Sequence, residues 1–346
     1  MGASRGGMRG FLEMEYRTLG KTGVRVSCLC LGTMSFGSEA DEETSAAIYH
    51  RCRDAGINFF DTADVYNGGR SEEILGKLIA ECRDEIVLSS KVFFPTGKDV
   101  NARGLSRRHI MLAVEDSLKR LKTDRIDLYF LHFFDPLTDI EEPLRALNDL
   151  VQQGKILYPA VSNWAAWQIA KALGISAQKG WVRFECIQPM YNLLKRTAEV
   201  EILPLAHAER MGVICYGPLA GGLLSGKYGR SLRPEHGRIM DNIMYVKRYS
   251  DPLNFEIAEI FSTHARERGV HPASLAVAWV MSHPAVTAPI IGSRNPEQLV
   301  ASLDAVKIRM TPEWRTEISA LSIEPPPVTD RTEEKSGIFY LEEKRP

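Results

Sequence analysis

Asp61, Tyr66, Lys91 and His132 each stand at or just beyond the end of a short apolar run. A phenol beside a buried ammonium and a carboxylate is a way to make a proton donor usable near neutrality. A free phenol has a pKa of about 10, and a neighbouring ammonium favours the ionised form and lowers that value. The carboxylate keeps the ammonium charged and fixed, and an imidazole at the same place can orient or polarise a carbonyl oxygen as charge develops on it. The set reads as an oxyanion site with a proton donor and without a nucleophile. Taken singly, each residue has a plainer reading. Asp61 could cap the turn that follows it, Tyr66 could be a loop aromatic, and His132, between Leu131 and Phe133, is by itself more often a satisfied core histidine. Lys91 is harder to dismiss, because a lysine between IVLSS and VFF must find a carboxylate or lose its charge. Asp61 is the nearest candidate.

A site that protonates an alkoxide needs a hydride donor, and groups able to hold one follow at later run ends. Ser162 and Asn163 close one run, Gln188 the next, Tyr216 another, and Gly292-Ser293-Arg294 the last. Amide side chains can bind a carboxamide, an aromatic ring can stack on a nicotinamide face, and a Gly-Ser-Arg turn opening a helix can hold a phosphate. Arg294 beside NPEQL points to NADPH over NADH, since a guanidinium matches a 2′-phosphate better than a pair of ribose hydroxyls.

The elements that must position these groups repeat one pattern of strand, polar loop and amphipathic helix. Strands are predicted near 26–33, 57–63, 85–91, 126–132, 156–162, 181–189, 212–218 and 287–292. Helices are predicted between them, including one long stretch over 253–284, with Asp41, Ser71, Ser106, Asn163 and Asn295 placed to cap first turns. Parallel neighbours need a crossover connection, and the crossovers here are helical. Eight such units can close into a (β/α)₈ TIM barrel, which gathers the C-terminal ends of all strands at one mouth. An open doubly wound sheet is the alternative, but LGTMSFG after the first strand is not its Gly-rich fingerprint. EYRTLGKTGVRVS predicts an N-terminal β-hairpin capping the other end of the barrel, and TPEWRTEISALS predicts a further C-terminal helix. The division expected is a disordered extension over 1–14, one barrel over 15–325 and a surface tail over 326–346. Within the tail, SGIFYLEEK could be a strap over the barrel or a contact to another subunit.

The chain has 346 residues, with 43 Lys plus Arg against 44 Asp plus Glu. A formal charge of −1 removes the long-range field that would gather nucleic acid or an anionic membrane. No apolar run approaches the roughly 20 residues of a membrane helix, and the first residues lack a secretory core, so a cytoplasmic protein is expected. The six cysteines, without a Cys-x-x-Cys pair, read as buried reduced thiols.

With these residues assembled, the sequence resembles the aldo-keto reductase superfamily, in the branch of bacterial reductases and the β subunits of voltage-gated potassium channels. The carriers are LGTMSFG at 31–37, GINFFDTADVYNGGRSEEILG at 56–76, LSSKV at 88–92, IDLYFLHFFD at 126–135, VSNW at 161–164, IQPMYNLL at 187–194, YGPLAGGLLSGKY at 216–228 and IIGSRNPEQL at 290–299. The resemblance implies a (β/α)₈ barrel binding extended NADPH, with Asp61, Tyr66, Lys91 and His132 as the catalytic tetrad and Tyr66 as general acid. It implies that Ser162, Asn163 and Gln188 bind the carboxamide, that Tyr216 stacks on the nicotinamide ring, that Asp61 is also a cofactor-binding residue, and that Gly32, Thr33 and Met34 lie on the nicotinamide side. Gly217, Pro218, Leu219, Gly221 and Lys227 would line the pyrophosphate, and Gly292, Ser293, Arg294 and Gln298 would hold the adenosine end. Ala301 and Ser302 stand where family members often carry a Glu-Asn pair that reads adenine, which implies weaker adenine hydrogen bonding, with Ser302 among the cofactor-binding residues and NADPH preference resting mainly on Arg294. NADH is the alternative cofactor.

Around the mouth, Phe36, Phe93, Phe94, Phe133, Phe134 and Trp164 could form an apolar funnel for a small-molecule carbonyl substrate, with Tyr66 and His132 at its base, or could be rim packing. The Arg- and Met-rich span from Arg230 to Pro252 is expected to be a mobile loop beside the cofactor. The leading expectation is NADPH-dependent reduction of aldehydes or ketones, sugars and other hydroxylated carbonyl compounds included. The alternative is a cofactor-bound regulatory or redox-sensing subunit with slow chemistry. A metal-dependent hydrolase using His132 and Asp135 lacks further ligands. A homo-oligomer is left open.

Overall fold

A computed structural model describes residues 14–329. Its elements run β1 (Tyr16–Thr18), β2 (Arg25–Ser27), β3 (Cys30–Gly32), α1 (Glu42–Asp54), β4 (Phe59–Asp61), α2 (Arg70–Ile79), β5 (Val87–Val92), α3 (Arg107–Leu121), β6 (Ile126–Leu131), α4 (Glu141–Gln152), β7 (Ile156–Ser162), α5 (Ala166–Lys179), β8 (Cys186–Gln188), α6 (Ile202–Ala208), β9 (Gly212–Cys215), α7 (Arg238–Asp241), α8 (Ile243–Tyr249), α9 (Pro252–Glu267), α10 (Pro272–Met281), β10 (Ala288–Ile291), α11 (Pro296–Leu303) and α12 (Pro312–Ser319). Eight parallel strands, β3 to β10, close into a (β/α)₈ barrel in chain order, with β10 returning to β3.

The barrel interior is filled by Cys30, Phe59, Leu128, Phe130, Ala160, Cys186, Ile214 and Ala288, all buried. Successive strand residues point to opposite faces, so these alternate with residues that pack outward against the helices. The antiparallel hairpin of β1 and β2 closes the bottom. Leu19 at its tip is fully buried, and a side chain at Gly212 would collide with Leu19 Cδ1, so the glycine makes room for the plug. Arg17 ties the hairpin down by donating to the carbonyls of Met281 and Val286 at 2.9 and 3.1 Å.

Several boundaries differ from the sequence expectation. The first strand, predicted as one run over 26–33, is two: Arg25–Ser27 belongs to the hairpin and Cys30–Gly32 to the barrel. The Ser27 hydroxyl donates to the Leu29 carbonyl at 2.6 Å, satisfying the backbone where the chain turns between them. The strand predicted over 181–189 shortens to Cys186–Gln188. The long helix predicted over 253–284 is two helices, because Gly269 takes a left-handed φ of 69° and His271 caps Pro272, which has no N–H to continue the first helix. The span from Arg230 to Pro252 carries α7 and α8 instead of a continuous loop. Asp41, Ser106 and Asn295 cap helices as predicted, but Ser71 lies inside α2 and Asn163 precedes the Ala165 cap of α5. All six cysteines are free, and all but Cys82 are buried. The N-terminal extension through residue 13 and most of the tail, including SGIFYLEEK, lie outside the described residues.

Candidate active site

The site begins with the register of three neighbouring strands. Asp61 is the last residue of β4 and pairs across to Ser89 on β5, two residues before Lys91. Period-two alternation therefore turns Ser89 and Lys91 to the same face, toward Asp61. The Ser89 hydroxyl donates to Asp61 Oδ1 at 2.7 Å, and Lys91 Nζ donates to Asp61 Oδ2 at 2.6 Å. Lys91 Nζ also donates to the Thr62 carbonyl at 2.6 Å and lies 3.3 Å from the Tyr66 hydroxyl. The ammonium sits 4.8 Å from the centroid of the Tyr66 ring. Lys91 is fully buried.

The chain after Tyr66 must turn sharply to begin α2, and it does so through Asn67, Gly68 and Gly69 at left-handed φ values of 53°, 65° and 90°. Asn is one of the few side chains that tolerate this region. Its amide donates to the carbonyls of Met34 and Phe36 at 2.9 and 2.7 Å, tying the tyrosine loop to the turn after β3. Ser71 bonds to the Thr33 hydroxyl at 2.7 Å and to the Thr62 hydroxyl at 3.0 Å, closing the same junction from below.

His132 follows β6, with its ring edge-on to Tyr66 at a centroid distance of 6.0 Å and edge-on to Phe94 at 4.9 Å. The structure thus brings Asp61, Tyr66, Lys91 and His132 to one place. Burial, followed by the Lys91 ammonium, holds the His132 imidazole well below its ordinary pKa, so the ring is neutral. Burial also pushes the Tyr66 phenol up, and the opposing pull of Lys91 does not overcome it. The sequence expectation that Lys91 lowers this pKa is corrected in net direction: the phenol holds its proton. Burial alone would lower the Lys91 pKa, but Asp61 and Tyr66 outweigh it and keep the ammonium charged.

A second band runs from the tetrad across the mouth. Gln188 Nε2 donates to Asp61 Oδ1 at 2.9 Å, the Ser162 hydroxyl donates to the Gln188 carbonyl at 2.9 Å, and Asn163 Nδ2 donates to Ser162 Oγ at 3.0 Å. Asn163, at a left-handed φ of 58°, also donates to the His132 carbonyl, and its Oδ1 accepts from the Tyr216 hydroxyl at 2.7 Å. Burial pushes the Tyr216 phenol up to about 12. Asn163 is thereby a strand-end connector and not the helix cap predicted.

Beyond Tyr216 the backbone bends through Gly217, Gly221 and Gly222 at positive φ, and the Gly217 carbonyl accepts from Asn192 Nδ2 at 2.9 Å. A Cβ at Gly221 would lie 2.7 Å from the Tyr245 ring. At the start of α11, the Ser293 hydroxyl is buried without a hydrogen-bond partner among the described residues, and Arg294 lies partly exposed with its Nη2 at 3.2 Å from Glu39 Oε1. Lys227, Gly292 and Gln298 are exposed. An orphaned hydroxyl, a glycine-bent backbone and a guanidinium at a helix start fit a phosphorylated dinucleotide lying from Tyr216 to Arg294.

Over residues 28–323 the chain matches the Aldo/keto reductase family. It belongs to that family. The chain is 41% identical over 312 residues to a Bacillus subtilis protein named as an uncharacterized oxidoreductase, covering 87% of this chain and 93% of the relative. It is 36% identical over 322 residues to a probable voltage-gated potassium channel subunit beta of Oryza sativa, covering 89% and 96%. A protein of the same description from Arabidopsis thaliana is 38% identical over 303 residues, covering 85% and 92%. As an aldo/keto reductase the chain is an oxidoreductase. Among the described residues, no helix is long and apolar enough to cross a membrane.

Three residues expected to touch ligand in this aldo/keto reductase are buried. Phe36 is fully buried in the hydrophobic core, and Trp164 is buried against Phe134 and Phe184. Ser302 is buried on α11. Phe93, Phe94 and Phe133 do cluster beside His132, with Phe93 and Phe133 centroids 5.6 Å apart. Asp135 spends its carboxylate on Leu105 N, Leu137 N and the Thr138 hydroxyl, which makes it a turn former. Sequence reading missed Ser89, Glu39, Arg238 and Tyr245. Ser89 was legible from alternation with Lys91, whereas Glu39 and Arg238 are 199 residues apart and carry no local signal.

Proposed function

We propose that the chain reduces aldehyde or ketone carbonyls to alcohols with NADPH, using Tyr66 as general acid. The observation that carries this reading is the Tyr66 hydroxyl at 3.3 Å from a buried Lys91 ammonium that is itself 2.6 Å from Asp61. The bound nicotinamide would supply hydride to the carbonyl carbon. The chain's own residues do the rest. His132, neutral and edge-on to Tyr66, orients the carbonyl oxygen, and Tyr66 gives its proton to that oxygen as negative charge builds there. Lys91 then faces a phenolate, and its charge offsets the cost of leaving that anion partly buried. Ser162, Asn163 and Gln188 would hold the carboxamide, Tyr216 would stack on the nicotinamide, the backbone from Gly217 to Gly221 would line the pyrophosphate, and Ser293 with Arg294 would take the adenosine phosphate. Phe93, Phe94 and Phe133 give the substrate side an apolar wall, which suits small carbonyl compounds, hydroxylated ones included. A screen of aldehydes, ketones and sugars followed by loss of NADPH absorbance tests the reading; no turnover with any carbonyl would oppose it.

The potassium channel β descriptions of the relatives favour a second reading, in which the same site serves a regulatory subunit. Such a subunit would bind NADPH and oxidise it at most once, slowly, per site under the same assay.

A further inference from the structure

Glu39 lies in the loop between β3 and α1, and its carboxylate is shared by two guanidiniums from distant parts of the chain. Arg238, at the start of α7, donates from Nη2 to Glu39 Oε2 at 2.5 Å, and Arg294, just before α11, approaches Oε1 to 3.2 Å. Arg238 also lies over the Tyr245 ring at 5.8 Å, and that ring covers Gly221 in the backbone bend proposed for the pyrophosphate. One acidic side chain therefore links the turn that opens α11 to the segment that borders the proposed nucleotide groove.

Without Glu39, Arg238 and Arg294 would form a dication suited to a phosphate dianion. With it, an arriving 2′-phosphate meets a carboxylate already paired with both, and must displace it or bear its repulsion. A ribose 2′-hydroxyl meets the opposite situation, since a carboxylate accepts its hydrogen bond, as acidic residues do in dinucleotide folds that take NADH. We propose that Glu39 determines nucleotide specificity: its carboxylate, held between Arg238 and Arg294, opposes the 2′-phosphate of NADPH, accommodates the 2′-hydroxyl of NADH, and keeps the preference between them small. This rests on the cofactor reading above.

The test is binding and not turnover. The parent chain and Glu39→Gln are titrated with NADPH and NADH by fluorescence, and with adenosine 2′,5′-bisphosphate and AMP by calorimetry. Glu39 is exposed, so the substitution leaves the core untouched. Releasing the two partly exposed pairs should tighten NADPH and the bisphosphate by about five- to tenfold, with NADH and AMP unchanged or weaker. A selectivity ratio that stays the same or falls in Glu39→Gln would overturn the role of Glu39 while leaving the cofactor reading standing. Failure of the parent chain to bind either dinucleotide would remove that reading and this proposal with it.

Discussion

Lys91 Nζ lies 2.6 Å from Asp61 Oδ2 at a depth where neither side chain reaches solvent to any useful extent. The pair has a structural and a chemical side. Asp61 also accepts from Ser89 and Gln188, so three strands, β4, β5 and β8, meet through one carboxylate inside the barrel.

Removing one member of a buried pair leaves the other charge uncompensated. Lys91→Met should cost about 3–5 kcal/mol of stability, and the double variant Lys91→Met with Asp61→Asn should recover a substantial part of that loss. Urea denaturation of the parent, both single variants and the double variant completes the cycle. Additive losses would mean that the ion pair is not coupled.

His132 makes stability depend on pH with a definite sign. Its pKa in the folded chain lies well below the ordinary 6.5. As pH falls through about 6.5 the unfolded chain takes up a proton that the folded chain refuses, so stability present above that pH is lost progressively below it. His132→Gln removes this contribution, and its unfolding free energy should fall less steeply than that of the parent between roughly pH 6.5 and 5. Denaturation curves collected across that range check this, and parallel pH profiles would contradict it.

Much of the barrel was legible because its signals are local. Alternating strands, polar strand ends and amphipathic helices recur at short range, and Asp61, Lys91 and His132 each stand at the end of such a strand. What escaped depends on contacts between distant segments. The break within 26–33 follows from pairing with a hairpin partner, and the burial of Phe36 and Trp164 follows from tertiary packing that an aromatic residue in a loop does not announce. The net pKa direction at Tyr66 likewise depends on how deeply its hydroxyl is enclosed, a quantity that residue order does not contain.

Arg294 is exposed on one side and bonded to Glu39 on the other. Arg294→Ala should weaken NADPH binding by about tenfold and leave NADH within about twofold, since only the former loses a charge-assisted phosphate contact. Fluorescence titration with both nucleotides decides, and equal losses would show that the residue acts on the fold of the turn and not on the phosphate.

Tyr66→Phe addresses the chemistry most directly, because it deletes the hydroxyl 3.3 Å from Lys91 and little else. With a carbonyl substrate found in the screen, steady-state reduction by this variant should fall by about 10²-fold or more while its NADPH titration matches that of the parent. Turnover equal to the parent's at unchanged NADPH affinity would contradict a proton delivered by Tyr66.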